Sequence, residues 1–187
     1  MTKNLPSSCK VVVIGGGVAG CSTAYHLAKF GWKDTVLLER DVLTSGTTWH
    51  AAGLIGQLGS SATITKLRNY SLNLYKQLEE ETGLSTGLKQ NGSLTVATTT
   101  DRLEELKRQV TFAQRFKIEA KEVNKDEIKE IYPLINVDDL VGGVFIPRDG
   151  QADPVGVANV MAKAAKQNGA TIIEKCPVKK IIIKNNK

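Results

Sequence analysis

The chain has 187 residues, 41% apolar and 24% charged, with a formal net charge of +6, a composition that suits a globular core. It contains no run of eighteen apolar residues, which excludes a membrane-spanning helix, and its lysines lack the arginine or aromatic pattern of a nucleic-acid surface. Cys9, Cys21 and Cys176 are odd in number and scattered, which excludes a disulfide framework or a zinc site and fits a reducing, cytoplasmic compartment.

The ten residues before Val11 hold no apolar h-region and no Arg-rich amphipathic stretch, so neither a signal nor a transit peptide is expected. Val11–Ile14 is an uninterrupted β-branched run and predicts a parallel strand buried on both faces. Gly15, Gly17 and Gly20 follow at G-x-G-x-x-G spacing. Gly15 permits a tight turn, Gly17 lets backbone approach a pyrophosphate, and Gly20 lets a helix pack close to the strand. That helix is predicted from Val18 to Phe30, with Ala24, Leu27 and Ala28 on its apolar stripe and Gly31 ending it. The N–H groups of Val18, Ala19 and Gly20 lie at its positive end, where a diphosphate binds. Thr35–Leu38 is the second strand. Glu39 ends it, close to the spacing of about 20 residues after the last glycine expected of a ribose-binding acid. A carboxylate there accepts from both ribose hydroxyls and repels a 2′-phosphate, which disfavours NADP.

An NAD-binding domain would continue with a helix and strand in simple alternation. This chain instead gives Arg40 and then LTSGTTWHAAGL (43–54). Gly46, Thr47 and Thr48 form a second N–H-rich segment able to wrap the far side of a diphosphate. Gly53, Gly56 and Gly59 keep the backbone thin beside a flat cofactor. Ile64–Glu81 reads as an amphipathic helix with Leu67, Tyr70, Leu74 and Leu78 inward. Tyr70 and Tyr75 are assigned to packing. Leu94–Thr99 is a strand. Asp101 caps a helix through about Phe116, with Leu103, Leu106 and Val110 inward. Asn124 or Lys125 opens a short helix ending near Tyr132–Pro133, and Gly143–Pro147 is another strand. Asp153 and Pro154 stand as N-cap and N1 of a helix to about Asn168, closed by Gly169. Thr171–Glu174 and Val178–Lys184 complete the predicted strands. Cys21, in the first helical turn, is read as a small packing residue.

GGGVAG, LLER and LTSGTTWHAAGL, in that order, resemble the flavoprotein family of sarcosine and dimethylglycine dehydrogenases, within the glycine-oxidase and D-amino-acid-oxidase-like group. The resemblance continues in YSLNLYKQLEEETG (70–83), QNGSLTVATT (90–99) and YPLINVDDLVGGVFIPRDGQADPVG (132–156). It implies an α/β fold: a Rossmann-like FAD-binding domain of glutathione-reductase type, from residues 1–60 and 150–187, with residues 61–149 forming part of an inserted α+β substrate domain. It implies FAD bonded covalently through His50. The implied cofactor-binding residues are Gly15, Gly17, Val18, Ala19, Gly20, Glu39, Arg40, Gly46, Thr47, Thr48, His50, Gly53, Leu54 and Val178, the last beside the adenine. No metal ligand and no catalytic acid or base is assigned.

The implied activity is oxidation of a small N-methylated amino acid such as sarcosine or dimethylglycine, with electrons leaving to an electron-transfer flavoprotein or another acceptor. Such proteins continue well beyond this length, so the sequence reads as an N-terminal fragment, with any tetrahydrofolate site in the C-terminal part. Val178–Lys184 fits this, as a first hairpin strand without a partner. A non-catalytic FAD-binding or regulatory module is the alternative reading, and the mitochondrial matrix the alternative compartment.

Overall fold

The computed structural model describes residues 5–183. In chain order its elements are β1 (Val11–Ile14), α1 (Val18–Lys29), β2 (Thr35–Leu38), a 3-10 turn (Thr48–His50), β3 (Leu54–Ile55), α2 (Ala62–Thr82) and β4 (Ser93–Ala97). Then come α3 (Thr100–Gln114), β5 (Lys121–Val123), α4 (Lys125–Ile131), β6 (Gly142–Ile146), β7 (Gly150–Gln151), α5 (Pro154–Gln167) and β8 (Thr171–Ile173). The chain forms two compact units. The first takes the described residues of Met1–Gly53, Tyr75–Gly87 and Ala152–Lys187, and the second takes Leu54–Leu74 and Leu88–Gln151.

The first unit is built on a parallel sheet of order β1-β2-β8. Val13 pairs with Leu37, and Leu37 with Ile172, so the β-branched and leucine runs lie side by side. A βαβ connection through α1 makes β1 and β2 parallel neighbours. The apolar face of α1 is Cys21, Ala24, Tyr25 and Ala28, with Leu27 only half-buried. It packs against α5, which buries Val157, Ala158, Val160, Met161, Ala162, Ala164 and Ala165. The many alanines let the two helices approach closely. The wholly buried Tyr25 ring keeps its hydroxyl satisfied: it donates to Glu81 at 3.1 Å and accepts from Lys29 Nζ at 2.7 Å. Asp153 caps α5 by accepting the Val155 N–H at 3.0 Å, with Pro154 at the start of the helix.

Two expectations for this unit are corrected. β1 is not buried on both faces: Val12 and Ile14 are 50% and 54% exposed. β1 is an edge of the described sheet, and alternate side chains along a strand point to opposite faces, of which the one carrying Val12 and Ile14 is only half covered. Residues 178–183 form no strand. A strand needs a neighbour for its N–H and C=O groups, and no described residue pairs with them; Lys184 lies outside the described residues. The other expected strand on this stretch ends at Ile173, leaving Glu174 free of the sheet.

The second unit has an antiparallel sheet of order β4-β6-β5. On one face Val144 and Ile146 pack with Ala97, Leu106, Ala113 and Ile118, under α3. On the other, Val123, Ile128 and Leu140 form a second cluster joined by Phe145, which alternates with Val144 and Ile146 along β6. The N-cap of α3 is Thr99, whose hydroxyl accepts the Arg102 N–H at 3.3 Å; Asp101 sits in the first turn, favourable to the helix dipole but not the cap. The expected stripe of α2 is corrected in its first half. Leu74 and Leu78 are buried, but Leu67 and Tyr70 are 58% and 49% exposed, and Thr65 and Leu72 on another side are buried instead. The helix serves the second unit up to Leu74 and the first from Tyr75, so no single stripe runs its length. Asp149 is buried with both oxygens engaged, accepting the Gln57 N–H and the Ser93 hydroxyl, each at 2.7 Å.

Candidate functional site

Gly15 leaves β1 with φ = 108°, a region that strongly favours glycine, and turns the chain into α1. A Cβ on Gly20 would overlap the Gly15 carbonyl oxygen, so the first helical turn can lie this close to the strand end only with glycine there. Gly17 is the N-cap of α1 and supplies no side chain to the helix end. The Val18 N–H is taken by the Thr48 hydroxyl at 3.0 Å, and the Gly16 N–H by Glu39 Oε2 at 2.6 Å. Ala19 and Gly20, in the first turn, have no partner in the helix's own ladder, and Ala19 is exposed. The loop is therefore a cradle that presents the remaining backbone N–H groups, those of Ala19 and Gly20, at a helix dipole's positive end, and its glycines carry no side chain of their own to obstruct them. That is the shape a diphosphate requires.

Glu39 is buried at the end of β2, with its own N–H bonded to the Ile173 carbonyl at 2.9 Å. Its Oε1 accepts the Asp41 N–H at 2.8 Å. Each carboxylate oxygen keeps a second lone pair, so the group is oriented by the protein and still able to accept from ribose hydroxyls. Thr48 is buried, and because its Oγ1 accepts from Val18, its hydroxyl proton remains available for an anionic oxygen. Thr47 is the N-cap of the 3-10 turn. His50 ends that turn, exposed, with its ring 3.8 Å from the Trp49 ring and its Nδ1 3.2 Å from the Gly46 carbonyl oxygen. A carbonyl only accepts, so Nδ1 donates and the lone pair lies on Nε2.

Glycines 15, 17 and 20 thus join Glu39, Thr48 and the first turn of α1 in one place. The Gly53 carbonyl accepts the Ala152 N–H at 2.8 Å beneath the start of α5. Arg40 is exposed beside Asp41. Val178 is partly exposed in irregular chain. Leu54 opens β3 in the second unit and is not grouped with the others. A surface depression of about 380 Å³, lined by Lys10, Phe30, Gly31, Trp32, Lys33 and Asp34, shares no residue with the cradle.

Cys21 is the small packing residue that the sequence suggests: it lies buried under the cradle, its thiol donating to the Gly16 carbonyl at 3.5 Å. Burial, reinforced by the carboxylates of Glu39 and Glu174, pushes its pKa from 9.0 up to about 11. The place in the first helical turn, which favours a thiolate, is outweighed by desolvation and two negative neighbours. One feature of the site was not anticipated: Glu174, whose Oε1 accepts the Leu43 N–H at 2.7 Å. Its signal in the sequence is the one that found Glu39: an acid directly after a parallel strand, at the sheet edge where ligands bind.

A family model described as DAO, FAD dependent oxidoreductase, matches residues 10–187. Mitochondrial sarcosine dehydrogenase of Homo sapiens is 48% identical over 178 residues, 95% of this chain and 19% of that protein. The mitochondrial pyruvate dehydrogenase phosphatase regulatory subunit of Mus musculus is 42% identical over 180 residues, 96% of this chain and 20% of that one. The chain spans about one-fifth of the length of these relatives. Among solved structures, L-proline dehydrogenase from P. horikoshii superposes with a TM-score of 0.89 at 32% identity, covering 97% of this chain and 48% of that one.

Proposed function

Since the chain belongs to the DAO family of FAD-dependent oxidoreductases, we propose that it holds the ADP-binding part of an FAD site in an enzyme that oxidises N-methyl amino acids such as sarcosine or dimethylglycine. The observation that carries this reading is the conjunction at one sheet edge of the N–H cradle, the oriented Glu39 carboxylate and the Thr48 hydroxyl. In it, Ala19 and Gly20 donate to the diphosphate, Thr48 adds a hydroxyl donor, and Glu39 accepts from the ribose. Gly46, Thr47 and Gly53 line the far side of the cofactor, with Arg40 nearby and Val178 beside the adenine. Bound FAD supplies two-electron oxidation of the C–H bond next to the substrate nitrogen.

His50 is assigned as the covalent anchor. Its Nδ1 faces the Gly46 carbonyl, so Nε2 is the ring nitrogen that would hold the flavin, in place of one hydrogen of the 8α-methyl group, with the released electron pair taken up by the flavin itself. We assign tetrahydrofolate as the carbon acceptor and an electron-transfer flavoprotein or an equivalent as the electron acceptor. The compartment is assigned as mitochondrial rather than cytoplasmic, on the relatives' description as mitochondrial. We further assign the first structural unit to FAD binding and the second to part of the substrate domain.

A second reading, a regulatory module without turnover, is favoured by the 42% identity to a phosphatase regulatory subunit. His50, with its nucleophilic nitrogen presented to solvent, weighs against it.

The test uses the flavin-loaded protein. Anaerobic sarcosine or dimethylglycine should bleach the flavin absorbance, and acid denaturation should leave the colour on the polypeptide in the wild type but not in His50→Ala. Flavin that no N-methyl amino acid bleaches would favour the regulatory module. Complete release of colour from the wild type would remove the tether.

A further inference from the structure

We propose that Glu174 is a positioning residue for the nucleotide site, an assignment that rests on the FAD reading above. The segment from Glu39 to Thr44 is stitched on two sides. Toward the fingerprint, Thr44 N–H donates to the Gly16 carbonyl at 3.0 Å, and the Leu43 side chain lies over Gly16, where a Cβ would overlap it. Toward the end of β8, Cys176 N–H donates to the Glu39 carbonyl at 2.8 Å and Lys175 N–H to the Asp41 carbonyl at 2.7 Å. The Lys175 ammonium pairs with the Asp41 carboxylate. Glu174, 131 residues along from Leu43, closes the same side through its side chain.

The segment needs holding. Thr44 is buried with φ = 68°, a conformation that a β-branched residue adopts at a cost, and Lys175 has φ = 54°. The Glu39 carboxylate is aimed by two N–H groups, one from the fingerprint and one from Asp41 within this segment. Movement of the segment therefore moves the ribose acceptor. Of the backbone groups tied from residues 174–176, the Leu43 N–H alone is held by a side chain, so it is the tie that substitution can remove. Charge does not explain Glu174. A second carboxylate near a diphosphate weakens anion binding by Coulomb repulsion, and its place here follows from geometry.

The assignment separates hydrogen bonding from charge. Glu174→Gln keeps an acceptor for Leu43 N–H and removes the charge; Glu174→Ala removes both. In calorimetric titration with ADP, Glu174→Ala should bind roughly five- to tenfold more weakly than wild type, the worth of one hydrogen bond at an otherwise unpaired N–H. Glu174→Gln should bind at least as tightly as wild type. Riboflavin, which lacks the ADP moiety, should bind all three equally. Wild-type ADP affinity in Glu174→Ala, or an equal loss in Glu174→Gln, would overturn the assignment. Should Glu174→Ala fail to fold, Glu174→Asp, which draws the acceptor back by one methylene, should show the loss, and wild-type binding by it would overturn the assignment. Wild-type protein that binds neither ADP nor FAD would overturn the FAD reading and this assignment with it.

Discussion

Cys21 shows how far the surroundings of one side chain depart from its sequence context. In the first turn of a helix a thiol is usually acidified, yet here it is buried against the Gly16 carbonyl with two carboxylates nearby and its pKa rises to about 11. Below about pH 9 the thiol is protonated in both folded and unfolded chains. Between about pH 9 and about 11 the unfolded chain loses the proton first, so folding stability falls as pH rises through that window. Cys21→Ala should flatten this fall relative to wild type in denaturant titrations, and native Cys21 should resist alkylation at neutral pH. Ready alkylation of the folded protein would contradict the burial argument. Glu39 was legible in the sequence because spacing alone places it at a strand end. Glu174 carries the same strand-end signal, but the residue pattern includes it within the strand Thr171–Glu174, and its partner Leu43 lies 131 residues away. The Val18 N–H was expected to serve the diphosphate, but Thr48 takes it, a tertiary contact invisible to a helix-terminus argument.

At the scale of elements, those with strong local punctuation were legible. α4 is one: Asn124 accepts the Glu127 N–H at 3.0 Å while Glu127 Oε2 accepts the Asn124 N–H at 2.8 Å, a reciprocal capping box. Asn124→Ala should destabilise the second unit by about 1 kcal/mol in chemical denaturation, and Asn124→Asp by much less. Equal losses in the two variants would show that the cap does not act through its acceptor. α5, with Asp153 and Pro154 at its start and Gly169 at φ = 100° after its end, is another. Elements defined by distant partners were not legible. β3 and β7 are two residues each and exist by pairing with one another, and the three-residue β5, for which the sequence carries no assignment, exists by pairing with β6. The expected strand over 178–184 had the right residue types, yet 178–183 pair with no strand among the described residues. In α2 the pattern located the helix but not its buried side, because the two halves pack in different units.

At the scale of the molecule, the sequence led through the fingerprint to an α/β fold and through the following loop to a flavin rather than a nicotinamide cofactor. The parallel sheet, the cradle and the family match agree with that reading. The division of the chain falls after Gly53, within α2 after Leu74, after Gly87 and after Gln151, and so interleaves segments that composition does not mark. FAD binding by the Gly15–Gly20 cradle with Glu39 is what we propose for this chain. The direct measurement is titration of the flavin-free protein with FAD, NAD and NADP, followed by calorimetry or by quenching of flavin fluorescence. Saturable binding of FAD, with NADP excluded by the Glu39 carboxylate, is the expected result; binding of NAD without any binding of FAD would show that the cradle is not a flavin site.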